Sequence, residues 1–153
     1  MSTFEEILSR DGRIVYKTKG VSMLPLLHQN QDIVVIEPPQ GRLNKYDVAL
    51  YKRGVSYVLH RVIQVKDHYY LIRGDNTYAL EYVPDEAVIG VLRSFIRNGK
   101  AWNTDDRCYI LYSRFWNAIY PVRKLWVLGW RLIYRVAKKL GLRRPDWMRR
   151  RKL

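Results

Sequence analysis

A succession of short β-branched runs, each closed by Gly, Pro, Asp or Asn, restricts this chain more than any other feature. The runs fall at 13–17, 32–37, 47–52, 55–65, 69–73 and 87–92. Pro38-Pro39 closes the second, which no helix interior tolerates. Arg53-Gly54 joins the third to the fourth as a hairpin turn would, and Lys66-Asp67-His68 and Gly74-Asp75-Asn76 turn the chain again. Short strands at this spacing predict a mainly β domain over 1–104, an antiparallel sheet or partly open barrel. A short helix precedes it at 3–10, where Phe4, Ile7 and Leu8 share a face and Glu5 and Glu6 suit the helix start.

From 105 onward the pattern changes. The stretch 109–120 is almost wholly apolar and aromatic, interrupted by Ser113, Arg114 and Asn117, and Pro121 breaks any helix there. Over 122–140 a helical wheel sets Lys124, Arg131, Arg135, Lys138 and Lys139 against Leu125, Trp126, Leu132, Ile133, Val136 and Leu140. Gly141 suits a helix stop, and a basic tail runs from Arg143 to Lys152. The second part of the chain, 105–153, therefore reads as amphipathic helices with a basic end.

Charge is divided in the same way. Of the net +14, the segment 101–153 carries most, with 14 Lys and Arg against three acids. An anionic partner belongs to this end of the chain. A basic face opposite a Trp-rich one suits a lipid headgroup boundary, where Trp126, Trp130, Arg131, Arg135, Lys138 and Lys139 would make the contact. The competing reading makes these helices a cover for the sheet. Nucleic acid is the least favoured partner, because no recognition motif accompanies the basic residues.

The lone Cys108 allows no internal disulfide and no metal-ligand spacing, so no cofactor or metal is expected. The acidic N-terminus has no secretory pattern, and no apolar run of about 18 residues is present. The expected location is the cytoplasm, including the inner face of its membrane.

Chemistry points to Lys19-Gly20-Val21-Ser22-Met23-Leu24-Pro25. A hydroxyl among Met, Leu and Pro needs a partner, and His60, inside the apolar run around Val58 and Val62, is the economical one. Serine is a weak nucleophile until a base within hydrogen-bond reach takes its proton, and His suits that task near neutral pH. Asp75 or Glu81 would orient the imidazole. Backbone N–H groups of Gly20, Val21 and Met23, around Ser22, would form an oxyanion hole. His28 and His68 read as surface residues.

Ser22-Met23-Leu24-Pro25 resembles the Ser-Met-x-Pro box of the type I signal peptidase superfamily, serine peptidases that include the LexA-like self-cleaving repressors. Further boxes follow in order: Asp32-Ile33-Val34-Val35, Asp47-Val48-Ala49-Leu50-Tyr51, His60-Arg61-Val62-Ile63 and Gly74-Asp75-Asn76. The His-Arg-Val-Ile form is similar to the branch containing the endoplasmic-reticulum signal peptidase. The resemblance implies a signal-peptidase-like coiled sheet, Ser22 as nucleophile, His60 as base, and a peptide substrate bound as an added strand. The family's acid falls near Glu81, while Asp75 is the last box's own acid. Gln31 replaces the family's Gly before Asp32, and neither an N-terminal membrane anchor nor a DNA-binding domain is expected here. The expectation is a serine endopeptidase acting on a peptide or precursor, such as a leader segment. The rival is a catalytically silent β domain that binds membrane or nucleic acid through its basic end.

Overall fold

The computed structural model describes residues 3–139, with the side chains of 131–134 and 136–139 excluded. The expected Gly141 stop and the basic tail lie outside the described residues. The chain divides into two compact units, 1–117 and 118–153.

The first unit is mainly β. Helix α1 (Phe4–Asp11) is opened by a capping box, in which Thr3 and Glu6 bond each other's backbone N–H, and closed by Gly12 at φ 68°. Eight strands follow: β1 (Ile14–Lys17), β2 (Ile33–Glu37), β3 (Val48–Arg53), β4 (Ser56–Val65), β5 (Tyr69–Arg73), β6 (Glu81–Pro84), β7 (Val88–Arg97) and β8 (Lys100–Asn103). All pairings are antiparallel, in the order β1-β2-β7-β3-β4-β5-β6, with β8 also on β7. The sheet does not close into a barrel: β1 and β6 end the order.

The β3 run Val48-Ala49-Leu50-Tyr51 is buried at every position because both sheet faces are covered. Val48 and Leu50 join one core with Met23, Leu26, Leu27, Val34 and Leu92. Ala49 and Tyr51 join the other with Val62, Tyr70, Ile72 and Val83. Gly54 and Val55 make the β3–β4 hairpin loop, and Gly54 adopts φ 60° as such a tight turn requires.

Helix α2 (Arg107–Ala118) groups with the sheet as far as Asn117, so the compact β unit runs past the boundary expected at 104. Ser113 and Asn117, polar breaks in an aromatic run, are its attachment points: Arg61 Nη1 donates to Ser113 Oγ at 2.8 Å, and Arg73 Nη2 to Asn117 Oδ1 at 3.0 Å.

The second unit contains α3 (Tyr120–Lys139). Pro121 sits in its first turn, where the missing N–H would have no intrahelical acceptor, so it starts this helix. Val122, Leu125, Trp126 and Trp130 are exposed along one side, while Lys124 and Arg135, exposed too, fall opposite on the wheel. The side chains of Arg131, Lys138 and Lys139 lie outside the described ones. No described helix is long and apolar enough to cross a membrane.

Candidate active site

Ser22 is half-buried in the turn after β1. Its neighbours explain its placement: Met23, Leu26 and Leu27 are buried in the core, each burial stabilising by about 1.5–3 kcal/mol. The far end of the loop is tied by polar groups. Asp32, 1% exposed, accepts from His28 N–H and from the Arg97 guanidinium, which also donates to the Pro25 and Leu26 carbonyls. Thr18 Oγ1 donates to the His28 carbonyl. Asp32 is held below the usual carboxylate range: burial opposes ionisation, but the Arg97 and His28 hydrogen bonds outweigh it. His28 is half-buried, its Nδ1 3.6 Å from Asp32 Oδ2, and His68 is exposed.

His60 is buried in β4 opposite Ala49. Its Nδ1 lies 3.2 Å from Tyr51 Oη and 3.3 Å from Glu81 Oε1. Tyr51 donates its own proton to Glu81 Oε2 at 2.8 Å, so both groups facing Nδ1 are acceptors. The network thereby assigns the proton to Nδ1 and leaves Nε2 as the basic lone pair. Burial lowers the His60 pKa from its ordinary 6.5, against the opposing pull of Glu81, and this keeps the ring neutral. Burial would raise Glu81, yet hydrogen bonds from Tyr51 and Arg53 hold its pKa below the usual range.

Gly74 brings the two segments together. A Cβ there would lie 2.6 Å from the Ser22 carbonyl oxygen and 3.1 Å from His60 Nε2. Ser22 and the basic edge of His60 thus border the same small space, which only glycine leaves open. The next residue fixes the turn to the Ser22 loop: Asn76 N–H donates to the Ser22 carbonyl at 2.7 Å, and Asn76 Nδ2 to the Val21 carbonyl at 3.2 Å. Among the described residues Ser22 Oγ makes no hydrogen bond, and the N–H groups of Gly20, Val21, Ser22 and Met23 donate none. Gly20, at φ 83°, turns this run of free donors.

Of the two candidate acids, Glu81 meets the imidazole. Asp75 faces a buried partner instead: Arg61, 0% exposed, donates to both its carboxylate oxygens at 2.7 Å. Tyr112 Oη and Trp116 Nε1 of α2 add bonds to the Asp75 carboxylate and carbonyl. Adjacent strand residues point to opposite faces, so His60 reaches the cleft while Arg61 grips the Gly74-Asp75-Asn76 turn from behind. Tyr51, Arg53 and Asn76 are parts of the site that the sequence reading did not assign. The Tyr51 signal was present in the hairpin: pairing across Gly54-Val55 puts Tyr51 diagonally next to His60 on one face.

The site opens into a cleft of about 870 Å³ between the end of β1 and the start of β4. Phe4, Tyr16, Met23, Leu27, Tyr57 and Leu59 supply its apolar lining. Among the described residues no three His, Cys, Asp or Glu side chains gather as metal ligands. Compared with known proteins, the sequence matches no family model, and it matches no curated protein.

Proposed function

We propose that this chain is a serine endopeptidase with Ser22 as nucleophile, His60 as general base and Glu81 as the acid that orients the imidazole. The observation that carries this reading is the disposition of the His60 ring, with Nδ1 against Glu81 and Tyr51 and Nε2 toward the space it shares with Ser22. On substrate binding Ser22 Oγ attacks the scissile carbonyl and passes its proton to Nε2. The free N–H groups from Gly20 to Met23 are suited to receive the oxyanion. His60 then gives the proton to the leaving amine, and water releases the acyl group by the same steps reversed. A Ser22 hydroxyl not yet bonded to His60 fits a substrate-free site, where such bonds commonly tighten only on binding.

The resemblance to the type I signal peptidase superfamily supports the same assignment, as does the groove beside Ser22. Strand β1 is at the sheet edge, and β5 pairs with β4 only from Arg61 onward. Two strand stretches bordering the cleft thus each lack a strand neighbour on one side, which suits an extended peptide or precursor segment bound as an added strand. The exposed Trp126 and Leu125 opposite Lys124 and Arg135 support peripheral contact with an anionic membrane surface.

A serine-directed fluorophosphonate tests the reading. Wild type should be labelled, and Ser22→Ala and His60→Ala should not; equal labelling of wild type and Ser22→Ala, or none in any, overturns it.

A further inference from the structure

We propose that the cleft selects a peptide bearing carboxylate side chains, with Lys17 and Lys19 as the specificity-determining residues; this rests on the cleft being the peptide-binding site proposed above. Three cations and one acid line the cleft besides His60: Lys17, Lys19, Arg53 and Glu81. Arg53 Nη1 is 3.1 Å from Glu81 Oε2, so these two charges offset each other. Lys17 and Lys19 form no ion pair among the described residues, and both are exposed where β1 leads into the Ser22 turn. Another surface lysine is treated differently: Lys52, on β3, is paired with Glu5 at 3.1 Å. The uncompensated charge thus lies along the wall that delivers the nucleophile.

The rest of the lining defines what accompanies the carboxylates. Phe4 stacks on Tyr57 with ring centroids 4.7 Å apart and lies 5.3 Å from Tyr16, giving the cleft an aromatic floor. A strand laid beside β1 presents alternate side chains to the floor and to the rim. The matching substrate is therefore an extended segment alternating apolar residues with Asp or Glu. A Lys or Arg at the rim positions would face like charge, which supplies rejection as well as attraction.

The test uses the full-length Ser22→Ala protein, so that binding is read without turnover. Fluorescent decapeptides of one apolar pattern, carrying two Glu, two Gln or two Lys at the alternate positions, are titrated by anisotropy. The Glu peptide should bind about tenfold tighter than the Gln peptide, and the preference should shrink at about 0.5 M salt. Lys17→Glu with Lys19→Glu should invert the ranking toward the Lys peptide. Lys45→Glu with Lys66→Glu, which changes net charge equally at residues outside the cleft lining, should leave the ranking intact. Equal binding of the Glu and Gln peptides, or the same loss in both double variants, overturns the inference. The peptidase reading fails separately, by the absence of Ser22 labelling.

Discussion

Glu81 acts on His60 in two ways that can be separated by pH. It accepts from the Nδ1 side of the ring, and its charge raises a pKa that burial lowers. The proposed mechanism requires the neutral ring, so the acid limb of kcat/KM should fall below pH 6.5. Glu81→Gln should reduce kcat about 10²-fold or more and move that limb further down, since the opposing charge is gone. A limb that stays fixed would show that Glu81 does not reach the base. The same pKa governs a part of stability. The unfolded chain binds this proton more tightly, so the contribution of a neutral His60 is complete above about 6.5 and is lost as pH falls through the folded value. Gly74 gives the second residue-scale prediction. Gly74→Ala places a methyl 2.6 Å from the Ser22 carbonyl, so the loop or the imidazole must shift. We expect a loss of about 1–3 kcal/mol in urea unfolding, with kcat reduced at least tenfold.

Helix α2 is tied to the sheet unit that holds the candidate site, through Arg61 and Asp75. Arg61 spans the gap between the turn beside Ser22 and the helix, reaching Asp75, the Tyr46 carbonyl, Tyr109 and Ser113. Arg61→Met should destabilise by about 3–5 kcal/mol in urea unfolding, because it strands the Asp75 carboxylate in the interior. Adding Asp75→Asn should recover part of that loss, which a simple packing defect would not allow. These elements differ in how far the sequence announces them. Strands β2 to β5 were legible because β-branched runs and Gly or Pro closures agree. Strands β6 and β8 were not: each is four residues, and Glu81-Tyr82-Val83-Pro84 and Lys100-Ala101-Trp102-Asn103 carry too little apolar pattern to distinguish them from loops. The role of α2 was hidden because Ser113 and Asn117 looked like interruptions, whereas each is placed to meet a buried arginine. In the candidate site, the meeting of His60 with the Ser22 loop was legible from residue type and surroundings. Which acid lies against the imidazole was not, because Asp75 is taken by the buried Arg61 and no strand pattern marks an arginine as buried.

The molecule as a whole carries the candidate site in the first unit and exposed aromatic and cationic residues in the second. Full-length protein should therefore co-sediment with vesicles containing anionic lipid and be released by salt, and Leu125→Gln with Trp126→Gln should weaken this about tenfold or more. Unchanged sedimentation would move the contact to another surface. Strand β4 has a further consequence. His60 and Arg61 are neighbours in sequence with opposite destinations, one the cleft and the other the interior. A slip of one residue in β4 would turn both to the opposite faces and carry the imidazole out of the cleft. On the proposed mechanism such a chain has no base at all. Activity on that mechanism would then depend on the same strand register that builds the core.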